Sequence, residues 1–348
     1  MNPVLVEVLR GTFVESRHAG AVAVLDADGG VVAAIGDIER PVFPRSAVKL
    51  LQALPLVESG AADRWQLSDE QLALACASHN GEAAHVQTAE AMLRQAGADP
   101  SQLECGTHWP YFDAAQRALA AEGARPSALH NNCSGKHAGF LCLACDRAVA
   151  GGLEPRRHAT GYVHPDHPLM REVTAALAQA TGCDLDRAPR GTDGCSIPTY
   201  AIPLRSLALA YARVATGIGL PPARAQAARR LRRAIAAAPF MVAGSGRFDT
   251  RVMQRLGERA CIKVGAEAVY CAAMPERGLG VAIKMDDGNT ARAAEVVMAS
   301  LLESLLTLDD GDAGFLAGLS APTLHNWNGI DVGRLRATEF LRRSRSGS

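Results

Sequence analysis

Apolar residues dominate two stretches within the first 36 residues, and their pattern predicts β-strands. The first stretch is VLVEVLRG, at residues 4–11, and the second is GAVAVLDADGGVVAAIG, at residues 20–36. The segment DADGG interrupts the second stretch with residues that favour a tight turn. The chain is therefore expected to begin with strands and a hairpin.

The spacing of apolar residues becomes helical from Ser46 to about Gly123. Ser68 and Gln71 form a capping-box pattern ahead of the run LALACA, which marks the start of a helix. A long helix rich in alanine and arginine is predicted over roughly residues 222–238. These stretches together predict a block of helices in the middle of the chain.

Strand-like sequence returns in ACIKVGAEAVYCAAM, GLGVAIKM and DVGRLRAT, and AEVVMASLLESLLTL predicts an amphipathic helix. The predicted fold class is α+β, with a mixed sheet built from N-terminal and C-terminal strands beside a block of helices. No linker composition is visible. We therefore predict a single catalytic unit over residues 1–348, with a subdivision near residue 200 left open.

The composition limits the classes of partner. Nearly half of the 348 residues are apolar, which is enough for a sizeable core. Lys plus Arg and Asp plus Glu both total 36, so the formal net charge is zero. That balance argues against nucleic acid or an anionic membrane surface as the partner and favours a small-molecule ligand.

Cysteine usage and the N-terminal sequence predict a cytoplasmic protein. The nine cysteines are odd in number and mostly lie in apolar stretches, which is typical of reduced, buried thiols. The N-terminal sequence lacks a signal-peptide pattern, and no run of about 18 apolar residues predicts a membrane span. Cys142 and Cys145 form a CxxC within an apolar helical run, where a core role is favoured over a redox or metal site.

The stretch PRSAVKLLQALP places Ser46 and Lys49 three residues apart at the start of a helical run. Residues at this spacing share a helix face. A helix N-terminus and apolar neighbours both disfavour a charged ammonium, and a neutral lysine can act as the base for a serine. The pattern alone is common, however, and also fits an N-cap serine followed by a lysine that reaches the surface.

Two further motifs add weight to the chemical interpretation. CASHNGE contains the S-x-N of Ser78 and Asn80, and ACIKVGAEAVY contains the K-x-G of Lys263 and Gly265. The order S-x-x-K, S-x-N, K-x-G is that of serine β-lactamases and penicillin-binding proteins, which form an acyl-serine intermediate. A glycine within a strand also allows close approach of the backbone to a ligand.

Thiols and polar residues gather in two other loops. HNNCSGKHAGF carries Cys133, Lys136 and His137, and RGTDGCSIPTYA carries Asp193 and Cys195. Two thiolates and a nitrogen donor would suit zinc. Because C-x-x-K is not a standard ligand pattern, the spacing alone favours two loop cysteines without a metal.

Two more features concern anionic ligands. The glycine-rich loop MVAGSGRFDTRVMQ, at residues 241–254, could hold an anion but lacks the pattern of a nucleotide-binding P-loop. Arg45, beside Ser46, is a candidate for binding a substrate carboxylate.

Taken together, these loops resemble the rhizobial-type L-asparaginases, the asparaginase II family. The stretches that carry the resemblance are PRSAVKLLQ, ASHNGE, HNNCSGKHAGFL, GTDGCSIPTYA, GRFDT and KVGAEAVY, spread from about residue 40 to 285. The segment EPRRHATGYVHPDHP departs from the pattern we expect and leaves the local geometry between two of the loops open.

The resemblance implies a fold akin to serine β-lactamases and glutaminases, a homodimer, and a zinc ion near the active site. The zinc ligands would be Cys133, Lys136 and Cys195. The resemblance also implies two Ser-Lys pairs, formed by Ser46 with Lys49 and by Ser78 with Lys263.

We therefore expect an L-asparagine amidohydrolase in which Ser46 attacks and Lys49 is its base, while Ser78 and Lys263 relay protons. Which serine is the nucleophile stays open. The candidate substrate-binding residues are Arg45, Asn80, Lys136, His137 and Asp193. The alternatives are another serine amidohydrolase, acting on glutamine, a β-lactam or a short peptide, and a non-catalytic zinc-binding amino-acid sensor.

Overall fold

The structure, a computed structural model, describes residues 1–343 and divides into two compact units. The first unit comprises Met1–Ala47, Ala201–Thr216 and the described residues from Ile262 onward. The second comprises Val48–Tyr200 and Gly217–Cys261. Each unit is assembled from separate stretches of the chain, so no linker composition is needed where the chain passes from one to the other. That residues 1–348 form a single catalytic unit stays a prediction.

The longer strands lie towards the two ends of the chain, and helices occupy most of its middle. The strands are β1 (Val4–Arg10), β2 (Phe13–Asp26), β3 (Val31–Ile35), β4 (Pro41–Val42), β5 (Arg190–Thr192), β6 (Pro198–Tyr200), β7 (Ile202–Pro203), β8 (Cys261–Val264), β9 (Val269–Met274), β10 (Leu279–Met285), β11 (Thr323–His325) and β12 (Asp331–Ala337). The helices are α1 (Lys49–Gln52), α2 (Leu54–Glu58), α3 (Ala61–Arg64), α4 (Asp69–Ala75), α5 (Ala83–Gln95), α6 (Asp113–Ala121), α7 (Ser134–Ala150), α8 (Pro155–Ala159), α9 (Pro168–Thr181), α10 (Leu204–Thr216), α11 (Pro222–Ala237), α12 (Pro239–Ala243), α13 (Phe248–Leu256), α14 (Glu295–Leu305), α15 (Asp310–Ser320) and α16 (Glu339–Arg343).

The main sheet of the first unit has the strand order β11-β12-β1-β2-β10-β9-β8, with β3 paired to β2. β1 pairs antiparallel with β12, where Val6 faces Ala337, and β2 pairs antiparallel with β10, where Val22 faces Ile283. N-terminal and C-terminal strands therefore share one sheet. The predicted α+β fold, with a sheet from the two ends of the chain, is confirmed.

The core of the first unit lies between this sheet and α10. Every residue of β9 is buried, and so are all residues of β10 except Lys284. Gly280 of β10 faces the backbone of α10, since a Cβ added there would lie 2.0 Å from the carbonyl oxygen of Ala208. Glycine at this position allows the helix to lie directly on the strand.

The second unit is helical around α7, of which almost every residue is buried. Gly135 permits close packing of α7 against α4, because a Cβ there would lie 2.4 Å from the carbonyl oxygen of Leu74. Ser68 and Gln71 form the predicted capping box at the start of α4. Cys142 and Cys145 are buried, free thiols within α7, as a core role requires.

Across residues 1–343, no helix combines the length and the apolar character that crossing a membrane would require.

Candidate active site

The S-x-N motif lies in a loop of the second unit that the backbone holds in place. α4 ends at Ala75, and α5 begins at Ala83. Between them, the N–H of Ser78 donates to the carbonyl of Val242, and the N–H of Asn80 donates to the carbonyl of Ala243, both at 2.9 Å. The loop is thus fastened to the C-terminal end of α12.

Lys49 reaches this loop from the start of α1. Its side chain is 1% exposed, and its Nζ donates hydrogen bonds to the carbonyl of Ala77 at 2.6 Å, to Ser78 Oγ at 2.9 Å and to Cys133 Sγ at 3.0 Å. The lysine of the S-x-x-K motif therefore meets the serine of the S-x-N motif. This contact differs from the two Ser-Lys pairs that the sequence predicts.

The two cysteine-bearing loops meet beside this lysine. Cys133 precedes α7, and Cys195 lies between β5 and β6. The Nζ of Lys136 donates to Cys195 Sγ at 3.0 Å, and the thiol of Cys195 also contacts Cys133. Asp193 closes the turn that holds Cys195, since its carbonyl accepts the N–H of Ser196 at 2.9 Å. The predicted clustering of Cys133, Lys136 and Cys195 is thus present in the fold.

The pKa values of the two cysteines are shifted in opposite directions. A hydrogen bond from Cys195 holds the pKa of Cys133 well below its usual value, and the ammonium groups of Lys49 and Lys136 act in the same direction. The hydrogen bond to Cys133, together with burial, raises the pKa of Cys195. Burial opposes the charge on Lys136, but the neighbouring sulfurs outweigh it and raise its pKa. The cluster thus places two sulfurs with opposite pKa shifts beside the side-chain nitrogens of Lys49 and Lys136.

The donor atoms of this cluster fit a soft metal. Thiolate ligands select zinc over magnesium or calcium, and here the sulfur of Cys195 contacts both the Nζ of Lys136 and Cys133. Among residues 1–343, no three His, Cys, Asp or Glu side chains are grouped so that they could hold a metal ion. A zinc site at Cys133 and Cys195 would therefore depend on Lys136 as the third protein ligand.

His79 connects the S-x-N loop to α7. Its Nδ1 accepts the N–H of Gly81 at 3.1 Å, so Nε2 carries the proton and donates to Ser134 Oγ at 3.0 Å. Ser134 in turn donates to the carbonyl of Leu129 at 2.8 Å. Burial holds the pKa of His79 well below its ordinary value, with smaller contributions from neighbouring cationic groups. His79, which directly follows Ser78, therefore links the S-x-N loop to α7 through a neutral imidazole.

The glycine-rich loop holds a carboxylate of the protein itself. Glu82 accepts the N–H of Ser245 at 2.8 Å and its hydroxyl at 2.7 Å. The amide of Asn80 donates to the same carboxylate at 3.2 Å and receives a hydrogen bond from Arg247 at 3.2 Å. The loop that the sequence indicated as an anion site thus binds Glu82 and fixes Asn80.

Ser46 and Lys263 belong to the first unit. Ser46 lies in the 3₁₀ helix Arg45–Val48, which begins with Arg45 at a φ of +51°. A Cβ on Gly265 would lie 2.3 Å from the carbonyl oxygen of Pro44. The K-x-G strand therefore runs against the segment that carries Ser46. Lys263 is buried, and its Nζ donates to the carbonyl of Val264 at 2.8 Å.

Each predicted Ser-Lys pair has one member in each unit. Lys49 and Ser78 lie in the second unit, and Ser46 and Lys263 lie in the first. Their assignment as two pairs stays a prediction, and so do the substrate-binding roles of Arg45, Asn80, Lys136, His137 and Asp193.

Two residues of the site were missed by the sequence analysis. The side chain of Asn131 accepts the N–H of Cys133 at 2.8 Å and donates to the carbonyl of Cys105 at 2.9 Å. The hydroxyl of Tyr162 lies 2.6 Å from Nδ1 of His137. Tyr162 comes from the segment EPRRHATGYVHPDHP, which contains no motif that would have identified it.

Comparison with known proteins identifies the family. The family model described as L-asparaginase II matches residues 6–337, and the chain belongs to this family of amidohydrolases. The resemblance seen in the sequence is confirmed.

Among solved structures, the chain is similar to one described as "Crystal Structure Analysis of Mglu in its tris and glutamate form", with 17% identity and a TM-score of 0.37. The match covers 89% of this chain and 65% of that one, so the chain spans slightly less than two thirds of its length. No curated protein matches the chain in sequence.

Proposed function

We propose that this protein hydrolyses L-asparagine to L-aspartate and ammonia through an acyl-serine intermediate. The observation that carries the proposal is the buried Nζ of Lys49, 2.9 Å from Ser78 Oγ, in a member of the L-asparaginase II family. A buried amine next to a serine hydroxyl is the arrangement that activates serine nucleophiles without a histidine.

The proposed reaction has two stages. In the first, Ser46 Oγ attacks the side-chain carboxamide carbon, and its proton passes to the amine of Lys49. The C–N bond then breaks, and the leaving nitrogen takes a proton through Ser78 and Lys263 and departs as ammonia. In the second stage, water attacks the acyl ester and gives its proton to Ser78 and Lys263. Lys49 then returns its proton to Ser46 Oγ as the ester bond breaks and L-aspartate leaves.

The same contacts allow Ser78 to exchange roles with Ser46. Ser78 is the serine that Lys49 contacts at hydrogen-bond distance, so an attack by Ser78 Oγ with Lys49 as base is the competing form of the mechanism. Both forms give the same acyl chemistry and differ in which serine carries the aspartyl group.

Substrate binding needs charges that complement a zwitterion. Arg45 and His137 would bind the α-carboxylate, Asp193 would bind the α-amino group, and Asn80 and Lys136 would line the site. Cys133, Cys195 and Lys136 would hold a zinc ion, which when bound would add positive charge beside the substrate site. A homodimer is proposed as the functional assembly from the family resemblance.

Ammonia release tests the proposal. L-asparagine, L-glutamine, a β-lactam and a short peptide amide are incubated with the wild-type enzyme, and ammonia or ring opening is measured. Release from asparagine well above release from the others supports the proposal. Turnover of another member of the panel in place of asparagine would reassign the substrate. Binding of asparagine without any turnover would instead indicate a sensor.

A further inference from the structure

His137 has a buried ring nitrogen without a hydrogen-bond partner. The residue is 0% exposed, and within residues 1–343 its Nε2 makes no hydrogen bond. The rings of Phe140 and Tyr162 flank the imidazole, with centroid distances of 5.7 and 5.5 Å. Buried polar atoms are nearly always paired in folded proteins, so an unpaired one needs an explanation.

The other ring nitrogen shows which form of the imidazole is present. The N–H of Glu104 donates to the hydroxyl oxygen of Tyr162 at 3.0 Å, and this hydroxyl lies 2.6 Å from Nδ1 of His137. Tyr162 is fully buried, and within residues 1–343 its hydroxyl finds its acceptor in Nδ1. Nδ1 therefore accepts, and a neutral His137 carries its proton on Nε2.

The surroundings keep both groups in these forms. The ring of His137 packs against those of Phe140 and Tyr162, and the N–H of Glu104 holds the Tyr162 hydroxyl in place. Burial raises the pKa of Tyr162 well above its usual range. The unpaired atom is therefore an N–H donor.

A buried N–H donor that the described part of the protein leaves unpaired is available to an acceptor atom of a ligand. The charge of Cys133 is already engaged by Lys49 and by the thiol of Cys195. An amino-acid substrate brings one carboxylate, and a hydrogen bond to a charged acceptor is stronger than one to a neutral group.

We propose that Tyr162 is a positioning residue that fixes His137 as an Nε2–H donor for the α-carboxylate of the amino-acid substrate. The inference rests on the proposed function for the identity of the ligand, but the hydrogen-bond assignment does not. Tyr162 acts through His137 and does not touch the reacting atoms.

The first test reads the imidazole directly. Wild-type enzyme labelled with ¹⁵N-histidine is compared with Tyr162→Phe by long-range ¹H–¹⁵N spectroscopy, and the His137 signals are assigned as those missing from His137→Asn. We expect the wild-type enzyme to show a protonated Nε2 and an unprotonated Nδ1, and Tyr162→Phe to lose this preference. A wild-type imidazole protonated at Nδ1 would overturn the inference, whether or not the variant folds.

The second test measures ligand binding. Tyr162→Phe should weaken binding of L-aspartate, measured by calorimetry, and raise KM for L-asparagine, each by about tenfold, while kcat changes little. Turnover of 3-aminopropanamide, which lacks the α-carboxylate, should be the same in both enzymes. Tyr200→Phe removes another buried hydroxyl, one that bonds Thr174, and serves as the matched control that leaves L-aspartate binding unchanged.

The outcomes separate the two proposals. If Tyr162→Phe left the affinity for L-aspartate unchanged, while the wild-type imidazole was protonated at Nε2 as expected, water would be the acceptor of the Nε2–H hydrogen bond. That result would overturn the carboxylate role. A wild-type enzyme that releases no ammonia from asparagine, but whose L-aspartate affinity depends on Tyr162, would refute the proposed function and leave this inference standing.

Discussion

The side-chain nitrogen of Lys49 lies 2.9 Å from the hydroxyl oxygen of Ser78, and both side chains are buried. Burial of a polar group without hydrogen bonds is unfavourable, and Lys49 avoids that cost with three hydrogen bonds, to a carbonyl, a hydroxyl and a sulfur. The contact joins two motifs that are 29 positions apart in the chain. The amine of Lys49 thus lies beside Ser78 in the fold and three residues from Ser46 in the sequence.

The first prediction concerns Ser46 and Lys49, which are proposed to serve the same chemical step. Ser46→Ala and Lys49→Ala should each remove nearly all ammonia release from asparagine, and the double variant should be little worse than either single one. Groups that serve one chemical step are strongly non-additive. Losses in kcat that multiply would show that the two residues do not work together.

The choice of nucleophile has its own measurement. Reaction of the wild-type enzyme with asparagine, quenched by acid, should leave an aspartyl group on one peptide. We expect it on the peptide that carries Ser46, and Ser46→Ala should abolish it. Ser78→Ala is the matched control, because it removes a hydroxyl that Lys49 bonds and should slow acylation without moving the label. An aspartyl group on Ser78 would reverse the two roles.

The second prediction concerns specificity. A site that binds the α-amino and α-carboxylate groups fixes the position of the carboxamide. Glutamine adds one methylene, and a misplacement of about 1 Å can reduce the rate by about 100-fold. We therefore expect kcat/KM for asparagine to exceed that for glutamine by a similar factor. Comparable values for the two substrates would favour a glutaminase.

The fold could be predicted where local signals were strong. The capping box of Ser68 and Gln71, and the start of α11 at Pro222, depend on residues within one helical turn. The sequence predicted that N-terminal and C-terminal strands share a sheet, but not that β1 pairs with β12. The strand pairs and their register depend on contacts between distant parts of the chain. The two units were not predictable, since each is built from separate stretches of the chain.

The candidate site likewise has features that the sequence predicts and features that only the fold shows. Motifs identified the residues that carry chemistry, including Cys133 and Cys195, which the fold brings together. Which side chains meet depends on packing, and the contacts of Lys49 with Ser78 and of Tyr162 with His137 have no local sequence signal. Tyr162 lies in a segment without a recognised motif, so only its buried hydroxyl in the folded chain shows its place in the site.

The third prediction concerns Gly265. A methyl group there would lie 2.3 Å from the carbonyl oxygen of Pro44 and 3.0 Å from the backbone nitrogen of Ala47, so the backbone must move. Gly265→Ala should lower the free energy of unfolding by about 1–3 kcal/mol and reduce kcat, because the displaced segment carries Ser46. Gly314→Ala, on α15 with nothing within 4 Å, is the control and should leave both unchanged or raise stability slightly. Full activity of Gly265→Ala would show that the position of this segment does not limit catalysis.

The fourth prediction concerns pH and His79. The folded protein holds this imidazole neutral with a pKa well below its ordinary value, mainly because it is buried. The unfolded chain takes up the proton near pH 6.5, at about the reference value, so below that pH the unfolded state binds more protons. The stabilisation is therefore complete above the unfolded pKa and is lost as pH falls towards the folded pKa.

Denaturant unfolding between about pH 7.5 and 5.5 should show this loss, with a slope contributed by His79 of up to about 1.4 kcal/mol per pH unit. His79→Gln should reduce that slope. Ser134→Ala is the control, since it removes the partner of Nε2 but keeps the imidazole, and should lower stability without changing the slope. An unchanged slope in His79→Gln would mean that other groups dominate acid unfolding.

The last prediction concerns zinc. The contacts among Cys133, Cys195 and Lys136 provide two sulfurs and a nitrogen, and the pKa of Lys136 is raised, so ligation must displace a proton. Elemental analysis should find about one zinc per chain at neutral pH, and occupancy should fall as pH drops. Cys133→Ser should lose the metal, whereas Cys142→Ser, which removes a buried thiol of α7, should retain it.

Chelation distinguishes the roles that zinc could have. Because a serine makes the attack in the proposed mechanism, removal of zinc should raise KM more than it lowers kcat. Zinc retained by Cys133→Ser would refute the ligand assignment, and a wild-type protein free of metal would refute the site. If chelation abolished kcat while the circular dichroism spectrum stayed the same, a metal-activated water would replace serine as the attacking group. The acid-quenched aspartyl adduct would then be missing from the wild-type enzyme, which ties this result to the test of the nucleophile.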